Sequence, residues 1–225
     1  MASRKPNNLP TGWGGAPVAA PSIEAIRDAA AWLRGRIVHT PLVELRGADE
    51  HGDIYLKPET LQPIGSFKIR GALNWARHLS AEQRARGLST CSAGNTAQAP
   101  VLKPSVRVVA VQTEASPAPQ ACFEQGRPVW VESRPTICEG AAVPVIVDEM
   151  FPLLRQVIDE VVVVSEDAAR AAIRRLALDN KLVVEGAGAV SVAAALSMRR
   201  SQRGRSICIL SGGSISAERL IAAIG

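Results

Sequence analysis

The sequence predicts an α/β protein built on an open, mostly parallel sheet covered by helices on both faces. Short runs such as 161–164 (VVVV) and 207–210 (ICIL) have strand length and are apolar on both sides, as strands buried within a parallel sheet are. Between them lie segments whose apolar residues recur at helical spacing. The chain's 225 residues, 47% hydrophobic and 21% charged, exclude a disordered or collagen-like polymer and suffice for one or two globular domains.

Residues 1–21 carry Pro6, Pro10, Gly12, Gly14, Gly15, Pro17 and Pro21. That is too many helix breakers for a packed element, so the segment reads as a flexible arm. From Ser22 the pattern changes: Ile23, Ile26, Ala30 and Leu33 recur behind a serine able to cap free N–H groups, predicting a helix to about Arg36. A short strand (54–57) follows, then a helix opening at Ser66 with Phe67, Leu73, Ala76 and Leu79 on its apolar face, then a strand ending near Cys91. Further on come strands at 106–111 and 129–131, a helix at 151–158 and the strand at 161–164. The next helix is capped by Ser165, with Glu166 and Asp167 in its first turn, where negative charge suits the helix dipole. A helix at 190–198, the strand at 207–210 and a last helix from Ala217 complete the order.

One junction conflicts with this rhythm. About fourteen residues separate Cys91 from the strand at 106–111, and they include Pro100 and Pro104. A crossover between neighbouring parallel strands needs a dozen or more residues, usually forming a helix, which these prolines would break. Either the two strands are not neighbours or a segment is missing there.

Composition also narrows the partners. No apolar run approaches the roughly 20 residues of a membrane-spanning helix, and the first twenty residues lack the apolar core of a secretory signal. A soluble cytoplasmic protein with no membrane partner is expected. The net charge is +5, yet the clearest basic cluster (Arg199, Arg200, Arg203, Arg205) holds no aromatic residue for base stacking and reads as a solvated turn, so no nucleic-acid partner is expected. Cys91, Cys122, Cys138 and Cys208 form no CxxC pair and read as buried reduced thiols.

Three loops of small and polar residues fall at strand-to-helix transitions, where open α/β sheets place ligands. They are 64–71 (IGSFKIRG), 92–95 (SAGN) and 211–214 (SGGS). A lysine forms a Schiff base only when its amine can lose a proton, and the positive, partly desolvated first turn of a helix favours that loss. Lys68, two residues after Ser66, is so placed.

Together these loops resemble the threonine and serine dehydratases, pyridoxal-phosphate (PLP) enzymes of fold type II. PIGSFKIRGA (63–72) resembles that family's P-x-G-S-F-K-x-R-G-A, and SAGNTAQA (92–99) its S-A-G-N-x-A-Q. TICEGAAV (136–143), EGAGA (185–189) and LSGGSI (210–215) are similar to its T-I-A-D-G-x-A-V, E-x-A-G-A and L-S-G-G-N-I. The resemblance spans about residues 37–225, with 22–60 and 104–225 forming the larger domain and 61–103 a remnant of the smaller.

The resemblance implies a β-elimination: a threonine or serine loses its β-hydroxyl and amine, yielding a 2-oxo acid and ammonia. It implies that Lys68 carries the cofactor and moves the Cα proton, with Ser66 beside it as part of the catalytic turn. It implies that Asn95 bonds the ring hydroxyl, that Ser211 meets the ring nitrogen, and that Phe67, Gly212 and Glu185 complete the cofactor's surroundings. The backbone N–H groups of Ser92, Ala93, Gly94, Asn95 and Thr96 would hold the substrate carboxylate, and Gly94 lets that loop turn its N–H groups toward an anion. A neutral hydroxyl at Ser211 leaves the ring nitrogen unprotonated, a milder electron sink suited to expelling a β-substituent. Racemases of this family place a second base, a serine, at the position of Ala93, and a methyl cannot carry a proton. No metal is expected, since Gln112, Ser116, Pro117 and Ala118 stand where some relatives place acidic ligands. Relatives of this kind form dimers or tetramers.

The sequence departs from the family's pattern in one large respect and two small ones. No run resembles the glycine-rich loop, typically G-G-G-G, that cradles the cofactor phosphate, and the resemblance skips roughly 100 residues between SAGNTAQA and the strand at 106–111, the junction that sheet geometry already marks as too short. A true loss of that segment would remove the phosphate's helix N-terminus and leave weak PLP binding and little turnover, a catalytically impaired homologue or partner subunit. Thr96 and Ser214 replace the family's usual histidine and asparagine, leaving bulkier substrates such as phenylserine open. The remaining alternatives are an amino-acid racemase and, suggested by the net charge alone, an anion-binding protein.

Overall fold

The computed structural model describes residues 15–47, 53–82 and 107–225. In chain order its elements are α1 (Ile23–Leu33), β1 (Val43–Glu44), β2 (Ile54–Pro58), a 3-10 turn (Glu59–Leu61) and α2 (Lys68–Arg77). After these come β3 (Val109–Thr113), α3 (Ala118–Gln125), a second 3-10 turn (Glu139–Ala141), α4 (Phe151–Val157) and β4 (Glu160–Val164). The chain then forms α5 (Glu166–Leu178), α6 (Gly186–Ser197), the one-turn α7 (Arg200–Arg203), β5 (Ser206–Leu210) and α8 (Ala217–Ile224).

The strands form two groups, β1-β2-β5 and β3-β4. β2 runs parallel to β5 from the Ile54–Ser206 pair to the Pro58–Leu210 pair, and β3 runs parallel to β4 from Val109–Glu160 to Thr113–Val164. Only β1 is antiparallel, on β2. The fold is therefore α/β with mainly parallel pairing. Helix α6 joins the two groups by packing against β5, β3 and β4 and against α5. Its sequence, GAGAVSVAAALS, is apolar around the whole circumference, which suits a helix buried on all sides. Ile54, Leu56, Ile173, Leu176, Val184, Val192 and Leu210 form the fully buried centre of this core.

Three helix starts follow directly from capping chemistry. The hydroxyls of Ser22, Ser165 and Ser216 accept hydrogen bonds from the N–H groups of Ala25, Ala168 and Arg219, at 3.1, 3.2 and 3.3 Å. Helix α2 differs: the residue before it is Phe67, which offers no capping side chain, and the Ser66 hydroxyl accepts the Lys68 N–H only at 3.4 Å.

Several boundaries move from their expected places. α1 stops at Leu33, and two residues later Gly35 takes φ +77°, a left-handed turn that a helix cannot carry. α6 opens at Gly186, four residues earlier than its apolar periodicity suggests. Residues 129–131 pair with no strand; Val131 donates one backbone bond to Pro144 at 2.8 Å. β1, α3 and α7 have no counterpart in the sequence reading, and the strand expected near Cys91 lies outside the described residues. In β5, Cys208 and Leu210 face the core, while Ile207 and Ile209 remain 61% and 42% exposed, so this run is covered on one face.

Residues 15–21, within the segment read as an arm, lie extended along Glu149: the Gly15 N–H reaches its carboxylate at 3.1 Å and the Val18 N–H its carbonyl at 2.8 Å. The basic cluster builds α7, with Arg200 paired to Asp53. The Arg200 hydrogen bond, helped by the charges of Arg205 and Arg203, holds the Asp53 carboxyl below its ordinary range despite partial desolvation. Cys122, Cys138 and Cys208 are free and buried. Burial, and for Cys138 the nearby Glu166 carboxylate, push the Cys138 thiol up to about 11; burial pushes Cys208 to about 12. Among the described residues no helix is long and apolar enough to cross a membrane.

Candidate active site

Because β2 and β5 are parallel neighbours, their carboxyl ends deliver two loops to the same edge of the sheet. From β2 the chain passes through the Glu59–Leu61 turn and Gly65 to Ser66, Phe67 and Lys68; from β5 it enters Ser211, Gly212 and Gly213. Backbone bonds stitch the loops together. The Phe67 N–H donates to the Ser211 carbonyl at 3.0 Å, the Gly213 N–H donates to the Gly65 carbonyl at 3.0 Å, and Ser66 pairs with Gly212. Lys68 is thus the first helical residue of α2, directly above the end of β5.

A third segment closes on them. The Glu185 N–H donates to the Gly212 carbonyl at 3.0 Å, and the Glu185 carboxylate accepts the Ser214 N–H at 3.1 Å. The glycines make this approach possible. A Cβ on Gly188 would sit 2.6 Å from the Gly212 carbonyl oxygen, and one on Gly212 would sit 2.9 Å from the Glu185 carboxyl carbon. The 136–143 segment joins from the other side of α6, where a Cβ on Gly140 would lie 3.0 Å from that of Ala187. The Arg219 guanidinium grips the neighbouring Glu139 with two bonds of 2.6 Å, and that fork holds the Glu139 carboxyl below its ordinary range. Four of the five segments singled out in the sequence therefore meet at one place.

The fifth, with Ser92, Ala93, Gly94, Asn95 and Thr96, lies outside the described residues. Lys68 is exposed, so the partial desolvation expected for its amine is not supplied by the described residues around it. Ser211 is half-buried and donates only a long 3.5 Å bond to the Ala187 carbonyl. The Thr60 hydroxyl, whose methyl lies 3.3 Å from the Cβ position of Gly213, is buried without a partner.

Sequence reasoning missed the polar cluster beneath this site. Glu59 is 3% exposed, and its carboxylate accepts Arg70 Nε at 2.8 Å, Arg70 Nη2 at 2.7 Å, the Thr40 hydroxyl at 2.8 Å and Gln62 Nε2 at 3.2 Å. Burial alone would raise the Glu59 carboxyl, but the bonds from Arg70, Thr40 and Gln62 outweigh it and hold the group below its ordinary range. Gln62 in turn spans the Val38 backbone, and Lys57 Nζ caps the Thr40 carbonyl at 2.6 Å. Apart from the Glu59–Gln62 pair, these partners lie 11 to 24 positions apart, so no local motif announces them.

The loops after two parallel strands, with a lysine at a helix start, meet at the edge where open α/β sheets place ligands, and the likeness to solved structures given below makes the fold that of the PLP enzymes of fold type II. The family model for pyridoxal-phosphate dependent enzymes matches residues 33–102 and 100–213, and the chain belongs to that family. It is 28% identical to the L-threonine ammonia-lyase of Thermotoga maritima over 309 residues, covering 88% of this chain and 77% of the relative. It is 25% identical to the catabolic L-threonine dehydratase of Escherichia coli (strain K12) over 311 residues, covering 88% of this chain and 94% of the relative. Among solved structures, a T.th. threonine deaminase aligns with a TM-score of 0.76 at 24% identity, covering 87% of this chain and 99% of that one. Maize serine racemase aligns with a TM-score of 0.79 at 20% identity, covering 92% and 99%.

The alignments also locate the interruption. Since 88% of a 225-residue chain fills the 309-residue alignment, about 110 positions have no residue of this chain opposite. The two family matches meet at residues 100–102, inside the junction that sheet geometry marks as too short.

The residues present fit one end of the cofactor. Lys68 offers an accessible amine, and the Ser211 hydroxyl, held only by its long bond to Ala187, is a donor free to exchange that bond for one to a ring nitrogen. Among the described residues no G-G-G-G run stands at a helix start; the glycines that open α6, Gly186 and Gly188, are packed against the backbones of residues 137–138 and Gly212, and no group of three His, Cys, Asp or Glu side chains could hold a metal ion.

Proposed function

We propose that this chain is a PLP-dependent ammonia-lyase that dehydrates and deaminates threonine or serine to a 2-oxo acid and ammonia. The observation that carries this reading is the stitching of the Lys68 turn to the Ser211 loop across adjacent strand ends. The names of the relatives, threonine ammonia-lyase and threonine dehydratase, support the substrate class.

The cofactor, when bound, supplies an electron sink for the bonds at Cα. Lys68 Nζ is the residue that would hold it and then carry the Cα proton. The Ser211 hydroxyl would donate to the ring nitrogen while Gly212 keeps the loop low enough for a ring to approach, with Ser66, Phe67 and Glu185 framing the same turn. Asn95 would bond the ring hydroxyl, and the N–H groups of residues 92–96 would receive the substrate carboxylate. Ala93, at the position where racemases of this family carry a serine, offers no proton, which favours elimination over racemisation. In this reading residues 22–60 and 104–225 form the larger domain and 61–103 belong to the smaller, and the chain assembles as a dimer or tetramer.

A second reading, a homologue impaired in catalysis, is favoured by the roughly 110 unmatched positions. One experiment separates the two. The purified chain is incubated with PLP, reduced with borohydride and mapped by mass spectrometry, while 2-oxo acid release is followed with threonine, serine and phenylserine. A pyridoxyl group on Lys68, lost in Lys68→Ala, together with 2-oxo acid release supports the lyase. An adduct without turnover selects the impaired homologue, and turnover without an adduct on Lys68 overturns the assignment of that lysine.

A further inference from the structure

The start of α2 is electrostatically awkward. Lys68 and Arg70, its first and third residues, are both basic side chains at the positive end of the helix dipole, and the cap residue, Phe67, offers no side-chain bond. Beyond the long 3.4 Å bond from the Lys68 N–H to the Ser66 hydroxyl, what holds it is the Arg70 fork on buried Glu59, with the Phe67 backbone bond to Ser211. Glu59 is equally dependent on Arg70, because a buried carboxylate left without its cation is costly. The carboxylate's other partners, Thr40 and Gln62, anchor it to the segment between α1 and β1 and to the turn after β2, so the fork ties the helix start to the body of the β1-β2-β5 sheet.

Helix geometry makes this tie directional. Residues two apart leave a helix about 200° from one another, on nearly opposite sides. Pinning Arg70 down onto Glu59 therefore sets the rotation of the first turn and points Lys68 away from the Glu59 pocket. The fork is bidentate, so it fixes orientation as well as distance.

We propose that Arg70, held by Glu59, is a positioning residue for Lys68: it fixes the rotation of the first turn of α2 and so the direction from which the amine meets the cofactor. This rests on the assignment of Lys68 as the cofactor-bearing amine. The geometry distinguishes Arg70 from a residue that merely stabilises the fold, because its loss disturbs a directed reaction of Lys68 more than an undirected one.

The test compares the full chain with Arg70→Met, Arg70→Lys and Glu59→Gln. Hydrogen exchange of the Lys68–Arg77 peptide needs no cofactor, and in Arg70→Met it is expected to speed up at least tenfold while exchange in α6 stays unchanged. Borohydride-trapped pyridoxyl on Lys68 at limiting PLP is expected to fall at least fivefold. Acetylation of the exposed Lys68 amine by a small anhydride, which needs no orientation, should change less than twofold. Arg70→Lys keeps the charge but not the fork, and should fall between wild type and Arg70→Met; if Arg70→Met does not fold, the same comparison is made with Arg70→Lys. Unchanged exchange in α2, or trapping that falls no more than acetylation, overturns the proposal. Altered exchange in a protein whose wild type traps nothing on Lys68 instead overturns the assignment of Lys68 and, with it, any positioning role.

Discussion

Replacing Gly186 by alanine places a methyl where the first turn of α6 meets the backbone of residues 137 and 138. The added carbon would meet the Ile137 carbonyl oxygen first and would lie 2.6 Å from the carbonyl carbon and 2.9 Å from Cys138 Cα, against an ordinary contact of 3.4 Å or more. All three obstacles are backbone, so one segment must retreat by about 1 Å, and α6 cannot do so freely because it packs against two strand groups and α5. Overpacking of this kind costs up to about 3 kcal/mol. Alanine recovers at most about 1 kcal/mol of helix propensity over glycine, so the clash wins and the net loss is about 2 kcal/mol. For a chain of this size that lowers Tm by roughly 4–8 °C. Gly212→Ala is the internal control: its methyl meets the end of the Glu185 side chain, which can rotate aside, and should cost less than about 1 kcal/mol. Thermal unfolding followed by circular dichroism measures both. A Gly186→Ala protein melting within about 1 °C of wild type, or less damaged than Gly212→Ala, would refute the close-approach argument.

Two further predictions concern titration. The folded Glu59 carboxyl sits below its ordinary value of 4.5, so it binds its proton less readily than in the unfolded chain; its contribution to stability is complete above about pH 4.5 and is lost as pH falls through the folded value. Melting temperatures measured from pH 7 down to pH 3 should therefore fall more steeply in wild type than in Glu59→Gln, and parallel acid limbs would contradict the role given to the cluster. Cys138 and Cys208, with thiols pushed up to about 11 and about 12, carry a thiolate fraction of about one in a thousand or less at pH 8. Iodoacetamide at that pH should leave both unmodified in the native protein and label both in urea, as read by peptide mapping.

Elements with a short-range physical signal were legible in the sequence. Ser22, Ser165 and Ser216 each precede an amphipathic or apolar run and each caps a helix, while the valines of β4 and the ICIL of β5 lie in strands. The signal failed where structure depends on distant partners. Residues 129–131 look like a strand, but no described strand pairs with them, whereas β1 exists only because β2 lies beside it. For the site, the placement of Lys68 in the first turn of a helix and of Ser211 just past a strand end was readable, since both follow from local pattern. The Glu59 cluster was not, because Thr40, Glu59, Gln62 and Arg70 become one unit only after β2 turns into α2.

The glycines show why a motif is more informative in pairs. Taken alone, EGAGA reads as a loop, and a helix beginning at Gly186 is penalised by propensity. Gly188 is required because Gly212 of the other segment lies backbone to backbone against it, with the Val184 side chain crowding the same spot, and Gly212 in turn needs the room that Glu185 would otherwise fill. Each small residue is thus explained by a residue more than twenty positions away. The two motifs together imply a surface of close contact between α6 and the β5 loop, a contact that neither predicts by itself. That contact fixes the Ser211 loop against the first turn of α6, and the Phe67 N–H bond to the Ser211 carbonyl carries the same constraint to the start of α2.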